Sequence, residues 1–509
     1  MTLDSKLFAS LTLAFANIPE QAAHHGIEPP DTREIYIVPG HEKVLDPETP
    51  IVVGDRGTGK SFWSAALNGE ETRLLIGRQL SLLNLESVRV SWGFSSQRGN
   101  SQHPSRQVLG RLREEGMPAE AIWRAVILHQ LLPVLGDAAP HLGNSWPDRV
   151  RAIRDDPESE ERWLAAIDRT LMDGGQRHLV VFDALDRLGD DWASIRDLLQ
   201  GLLRVCLDLG DFRAIRTKLF MRPDMWEDSA LWSFPDASKL HHGCVTLQWR
   251  RVDLYGLLWH WLANRPISGE AFRGWCTMQH GVTFDEVPLE DGQVVYMPSA
   301  ALRGDEKSQS KILSDLASPY MGTNRRRGKT YTWVPTHLAD AKGQVSPRSF
   351  LLTLKRAEEQ SRERAANELL HYEGIKQGVQ KASRIRLLEL QEDYQWINVV
   401  LNPLRGMTVP VTFEELQQRW LENNVVDRVR RPDSYDTRVE DEPDHDYKPY
   451  LPPHALEGLS EGQSLEEGLV TALIEIGVMS RIADGRFNIP DLFRVGAGIG
   501  RKGGVRAIR

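Results

Sequence analysis

Residues 54 to 61 read Gly-Asp-Arg-Gly-Thr-Gly-Lys-Ser, with Phe62 next in the chain. Gly54, Gly57 and Gly59 let successive backbone N–H groups turn toward one anion, with Asp55, Arg56 and Thr58 filling the loop between them. Lys60 brings a cation to the outer oxygens of a polyphosphate, and the Ser61 hydroxyl suits a divalent cation. A carboxylate must complete such a cation's surroundings. In RHLVVFDALDRL, Asp183 stands at the end of the apolar run Leu179 to Phe182. Together these residues have the chemistry to hold a magnesium–polyphosphate.

Three further side chains could act on the same phosphates. Asp186, three residues past Asp183, is the only nearby carboxylate able to orient a water; a helix cap or an ion pair to Arg187 is its competing use. Arg222 follows the run Lys218 to Met221 and could sense a terminal phosphate, unless it is a surface arginine before a proline turn. Arg348 lies in the first turn of an amphipathic helix, with Ser346 as cap, Pro347 early, and Leu351, Leu352, Leu354 and Ala357 facing inward. Its alternative is a solvated helix start.

The elements that must position these groups are legible from their patterns. Pro50 to Val53 (PIVV) reads as a buried parallel strand, and Ser61 to Leu67 as the helix whose N-terminus holds the phosphates. Leu179 to Phe182 and Lys218 to Met221 read as two more buried strands. Their carboxyl ends form the edge where open α/β sheets bind ligands. The expected fold class is therefore α/β: a P-loop NTPase parallel sheet core with a helical lid, followed by an α-rich winged-helix domain.

These motifs resemble the additional-strand P-loop ATPases, the AAA+, origin-recognition-like and STAND group. DALDR is also close to the DDLDR of KAP ATPases. The resemblance spans about Val44 to Ala366. It implies ATP and Mg²⁺ as ligands, with Lys60 and Ser61 on phosphate and metal, Asp183 on metal, Arg222 at the sensor-1 place and Arg348 at the sensor-2 place. Many of these ATPases carry glutamate directly after the Mg²⁺-binding aspartate. Here Ala184 stands there, which implies slow hydrolysis. Segments such as SPRSF and RKGGV are similar in style to ATPases of bacterial conflict and antiphage-defence loci.

The remainder of the chain suggests how a nucleotide state would be used. In LQWRRVDLYGLLWHWLANRP, Leu254, Leu257, Leu258 and Trp261 repeat at helical spacing and read as core. Residues 267 to 345 look irregular and contain MGTNRRRGKTYTW. There Arg325, Arg326, Arg327 and Lys329 precede Tyr331 and Trp333, which suits a nucleic-acid backbone, an arginine finger into a neighbouring subunit, or a solvated loop. Residues 358 to 390 alternate charge like a solvent-facing helix. Thr412 with Glu415, and Ser464 with Glu467, have capping-box spacing. An acidic, proline-marked segment from Ser434 to Pro453 reads as an insertion. VMSRI and RFNIP read as a hairpin turned at Asp484-Gly485. Helices followed by such a hairpin resemble a winged helix, with a basic tail at Arg501, Lys502, Arg506 and Arg509. The helix that would read bases, EEGLVTALIEIG, carries no basic residue.

Length and composition set the outer bounds. The chain has 509 residues, 41% hydrophobic and 26% charged, with 28 prolines and a net charge of −9. Two to four domains fit that length, and any DNA contact must be local, because the chain as a whole is acidic. The expected boundaries are an N-terminal helical extension at 1–45, the ATPase core at 46–250, a helical lid with a basic insertion at 251–360, and a helical linker with the winged helix at 361–509. Cys206, Cys244 and Cys276 have neither disulfide nor metal spacing, and His103, His129, His141, His241 and His242 form no ligand pattern. No run approaches the roughly 18 apolar residues of a membrane span, so a cytoplasmic location is expected. The functional expectation is an ATP-driven switch that controls homo-oligomer assembly and contact with DNA or a separate effector protein. A nucleotide-locked scaffold and a DNA loader of replication or transposition type are the alternatives.

Overall fold

A computed structural model describes residues 4–20, 28–97, 102–189, 191–289, 292–364, 367–430, 453–456, 459, 462–502 and 505–507. The chain divides into two compact units. One comprises Gln21–Gln248 and Glu286–Tyr296; the other comprises Met1–Glu20, Trp249–Asp285 and Met297–Arg509.

The first unit is built on five strands: β1 Ile51–Val53, β2 Val88–Phe94, β3 Arg177–Phe182, β4 Ile215–Met221 and β5 Cys244–Thr246. All their pairings are parallel, in the order β2-β3-β4-β1-β5. A parallel sheet covered on both faces needs strands that are apolar throughout, which is why IVV and LVVF show no alternation. Helices Ala119–Leu131, Pro157–Asp173 and Trp192–Leu209 pack in this unit. Gly201 has no space for a side chain, because a Cβ there would lie 2.6 Å from that of Ala119.

Within β4, Lys218 is fully buried, its ammonium donating to the carbonyls of Asp46 (2.9 Å) and Thr49 (2.6 Å). These bonds tie the segment before β1 to β4. Among the described residues no carboxylate side chain bonds it in compensation, and burial pushes its pKa down to about 7.

The second unit is mainly helical. Residues 267–345, expected to be irregular, instead form helices Gly269–His280, Ala300–Gly304, Glu306–Leu316 and Thr330–Leu338, and strands β6 Phe284–Pro288 and β7 Val294–Pro298 pass through the same stretch. Polar residues concealed these elements because the helices bury only part of their surface. The span 358–390 is also two helices, Pro347–Glu363 and Tyr372–Asp393, rather than one solvent-facing helix. Gly374 and Gly378 lie against the backbone carbonyls of Ala357 and Thr353, where any Cβ would collide. Glycine therefore permits a close helix crossing that a charge pattern cannot reveal.

The end of this unit has the winged-helix arrangement. Helices Trp396–Leu401, Phe413–Glu422, Val425–Arg430 and Leu465–Glu475 accompany short strands β8 Thr408–Val409, β9 Ser480–Arg481 and β10 Phe487–Asn488. Both capping boxes form as expected. The β9–β10 hairpin turns at Gly485, where φ is +88°, and Val411 exchanges both backbone bonds with Phe487. The acidic segment lies outside the described residues apart from Pro453.

The tail is docked. Strand β11 Gly500–Arg501 pairs with β8. Fully buried Arg494 donates to Asp491 (2.7 Å) and to the carbonyls of Ile499 (3.3 Å) and Val505 (2.8 Å), while His337 bonds Asp491 at 2.5 Å.

Two stability predictions follow from the buried cations. The unfolded chain keeps the Lys218 proton up to about pH 10.5, whereas the native state releases it near 7. Stability relative to Lys218→Met should therefore rise between pH 7 and 9, by at most about 1.4 kcal/mol per pH unit. Denaturant titrations of the two proteins across that range measure the difference. Arg494→Met takes the guanidinium from buried Asp491, which keeps its His337 bond, and from the Ile499 and Val505 carbonyls, and should cost up to roughly 3–5 kcal/mol, read as a drop in the denaturation midpoint.

Candidate functional site

The loop after β1 is shaped by its glycines. Gly57 and Gly59 adopt φ of +79° and +108°, and a Cβ on Gly54 would lie 2.7 Å from the Thr58 hydroxyl. That hydroxyl donates to the Asp55 carbonyl at 2.7 Å, and the Gly54 amide donates to the Met221 carbonyl at 3.1 Å. The loop is thus anchored to the end of β4. Helix Lys60–Asn68 follows directly, with Gly59 at its cap position. Asp55, Arg56 and Gly57 are half-buried, and Phe62 sits edge-on to buried Trp63.

Lys60 donates to the carbonyls of Gly54 and Asp55 (3.0 Å for the latter), which holds its ammonium over the loop. Burial lowers its pKa, and the carboxylates of Asp183, Asp55 and Asp186 oppose that shift. Arg222 acts in the lowering direction. The four charges perturbing Lys60 are therefore those expected at the site, gathered from the loop, β3 and β4.

Asp183 is 6% exposed. Its amide donates to the Phe94 carbonyl at 3.0 Å, its carboxylate accepts from the Ser64 hydroxyl at 3.4 Å, and the Ser61 side chain acts to lower its pKa. Desolvation raises its pKa against these bonds and the Lys60 charge. A buried carboxylate beside a serine hydroxyl is an all-oxygen donor set, which fits Mg²⁺ completing its octahedron with water and phosphate oxygens. Ser64 is one residue that sequence reading missed. It lies one helical turn past Ser61, and that spacing was the available signal.

Ala184, in the position after Asp183, is left-handed, with φ of +57° and ψ of 38°. Alanine is strained there by about 1–2 kcal/mol. The turn it makes leads into Leu185–Arg187, and Asp186 pairs not with Arg187 but with Arg222, at 3.4 Å. Arg222 in turn is gripped by Asp224 through two bonds, Nε to Oδ1 at 3.0 Å and Nη2 to Oδ2 at 2.6 Å. Arg222 is thus neither a surface arginine nor held by one partner alone. Asp224 is the second residue that sequence reading missed; an acid two residues after the arginine, across Pro223, was the only hint.

Arg348 begins helix Pro347–Glu363 as expected, with Ser346 accepting from the Ser349 amide, and its guanidinium bonds Glu389 at 2.7 Å. It belongs to the second unit, as do Arg325, Arg326 and Arg327, which form an exposed 3-10 turn capped by Asn324. The basic cluster is solvated, but the two aromatics that follow it are engaged elsewhere: Trp333 is half-buried with its ring 3.9 Å from that of His337. Tyr331 is 3% exposed, stacked 4.3 Å from Tyr255, with its hydroxyl donated to Gln309 at 2.7 Å, so it cannot stack on a base. Helix Leu465–Glu475 exposes only Glu467 and Ile474, and Gly468 lies under Leu456 and Leu459. Arg501, Lys502 and Arg506 lie in the docked tail and are all exposed; Arg509 is outside the described residues.

Among the described residues, no group of three or more His, Cys, Asp or Glu could hold a metal ion, and no helix is long and apolar enough to cross a membrane. His103 bonds Ser95 inside the first unit, and His241 packs against Trp226 and Trp232.

A glycine loop between β1 and a helix, an aspartate ending β3, and one strand inserted between them define a P-loop NTPase core of the additional-strand type. No family model matches the chain, and no curated protein matches it. Among solved structures it is similar to the Aeropyrum pernix ORC1 protein in complex with DNA, at 14% identity and a TM-score of 0.33. It is similar also to the Aeropyrum pernix ORC2 protein in ADPNP–ADP complexes, at 13% and 0.30. Both alignments cover 96% of this chain and 94% of the other. At that likeness, the functional reading rests on this chain's own residues.

Because burial penalises the charged form of Asp183, Asp183→Asn should leave the nucleotide-free protein as stable or more stable, while removing any Mg²⁺ dependence of nucleotide affinity. Thermal melts paired with fluorescent-nucleotide titrations, with and without Mg²⁺, read both effects.

Proposed function

We propose that this chain binds ATP with Mg²⁺ and hydrolyses it slowly, using the nucleotide state as a switch. The observation that carries this reading is the parallel register of β1, β3 and β4, which brings the glycine loop with Lys60, Asp183 and Arg222 out along one carboxyl edge of the sheet, with the loop's Gly54 amide bonded to the Met221 carbonyl. The loop amides and Lys60 would hold the β- and γ-phosphates. Ser61 and Asp183 would hold Mg²⁺, which draws charge from the phosphate oxygens. Ala184 leaves no carboxylate in the adjacent position, so Asp186 is the group left to orient water. Its present bond to Arg222 keeps it engaged, which favours slow turnover.

The switch would be read by the second unit. Arg348, on the helix beginning at Pro347, is the candidate to couple nucleotide to a helical lid, by exchanging Glu389 for phosphate. Homo-oligomer assembly, DNA and a separate effector protein are the candidate outputs. DNA contact through the helix Leu465–Glu475 is disfavoured by its burial and lack of basic residues. The exposed Arg325–Arg327 turn and the Arg481 and Arg486 side chains of the hairpin are better suited to phosphates.

The test follows ATP turnover and molecular mass together, with and without duplex DNA, at low and moderate salt. Turnover below about 1 s⁻¹, under the usual enzyme range, with assembly or rate raised by DNA, is the expected result. Bound ATP that is neither hydrolysed nor affected by DNA would identify a nucleotide-locked scaffold instead. Replacing Arg325, Arg326 and Arg327 by glutamate should weaken duplex binding and flatten its salt dependence by about one unit for each phosphate no longer neutralised. Unchanged affinity would remove that turn from the DNA surface.

A further inference from the structure

The Arg222 guanidinium is shared unequally between two carboxylates. Its bonds to Asp224 are paired and short, at 3.0 and 2.6 Å, and the Asp224 side chain is 2% exposed. Its contact to Asp186 is single, 3.4 Å long, and to a side chain that is 26% exposed. A charge-assisted bond of normal strength is about 2.7–2.9 Å, so the Asp186 contact is the one that a competing anion would displace. Such an anion would have its place nearby, because Arg222 directly follows Met221, whose carbonyl accepts from the Gly54 amide of the glycine loop.

We propose that Asp224 is a positioning residue that fixes Arg222 as a γ-phosphate detector, and that Asp186 is the partner Arg222 gives up when ATP binds. This rests on the reading of the site as an ATP site and adds its regulation. In the pair's resting arrangement, Arg222 occupies Asp186. When a γ-phosphate arrives, Nη1 turns to its oxygens while the Asp224 bonds hold the rest of the guanidinium in place. Asp186 is then released to accept a proton from water as that water's oxygen bonds the γ-phosphorus. The bond from the γ-phosphorus to the bridging oxygen breaks, ADP departs with that oxygen, and the proton passes on to phosphate or solvent. ADP lacks the γ-phosphate and leaves the Arg222–Asp186 pair closed. The local sequence supports such an anchor: Pro223 opens the short helix Pro223–Glu227, and the Trp226 amide bonds the Arg222 carbonyl at 3.0 Å, so Asp224 is set on a rigid turn.

The discriminating measurement is the ratio of ATP to ADP affinity, from titrations with a non-hydrolysable ATP analogue and with ADP, for the full chain. Asp224→Asn should cut that ratio about tenfold, the value of one charge-assisted bond, with ADP affinity nearly unchanged; Asp224→Glu should restore part of it. Asp186→Asn should raise analogue affinity relative to ADP while lowering turnover, since it removes the competitor and the water-orienting group together. An unchanged ratio in Asp224→Asn, with ADP binding intact, would overturn the proposal. If Asp224→Asn does not fold, Asp186→Asn decides, and an unchanged ratio there would overturn it equally. Failure of the unaltered protein to bind either nucleotide would instead reject the ATP reading itself.

Discussion

Parallel pairing of β4 with β1 on one side and β3 on the other is the constraint from which the site follows. Ile51 to Val53 align with Leu219 to Met221, and His178 to Phe182 align with Ile215 to Leu219. The loop after Val53, Asp183 after Phe182 and Arg222 after Met221 must therefore emerge along one edge. Lys218 ties the segment before β1 to β4 from within the sheet, at the cost of burying a lysine without a bonded carboxylate side chain. The Gly54 amide bond to the Met221 carbonyl makes the same connection at the opposite end of β1.

That edge concentrates desolvated charge. Lys60 and Asp183 are both shifted by burial toward their neutral forms, and each is held toward its charged form by the other, with the Asp55 and Asp186 carboxylates adding for Lys60 and neighbouring hydrogen bonds for Asp183. Ala184 adds backbone strain in the turn between Asp183 and Asp186. Such costs accumulate where ligand binding can offset them, since a divalent cation and a polyphosphate present the opposite charges to those left unsatisfied. The same arrangement explains why Arg222 has two acidic neighbours: a largely desolvated guanidinium needs compensation whether or not phosphate is present.

The helical unit is governed by different physics. Close backbone contact at Gly374 and Gly378 joins its two long helices, and the Arg494–Asp491 pair closes the tail over the winged helix. These devices consume the polar and small residues that a linear reading assigns to solvent. The exposed basic residues that remain, at Arg325–Arg327, along the hairpin and at Arg501, Lys502 and Arg506, are what this unit offers to an acidic partner.

The local chemistry was legible in the sequence because it depends on short range. A glycine-rich octet between an apolar strand and a helix, an aspartate closing another apolar run, and capping boxes at Thr412 and Ser464 each specify their own geometry within a few residues. Strand identity was legible for the same reason at β1, β3 and β4, since fully buried parallel strands read as unbroken apolar runs, whereas the partly exposed β2 and β5 gave no such run and were missed. What only the tertiary structure decided is partnership across distance. Asp186 could face Arg187 or Arg222, Tyr331 could stack on a base or on Tyr255, and the charged span 358–390 could face water or cross another helix. In each case the outcome was set by which surface the folded chain brought opposite, and a side chain's own type carries no record of that surface.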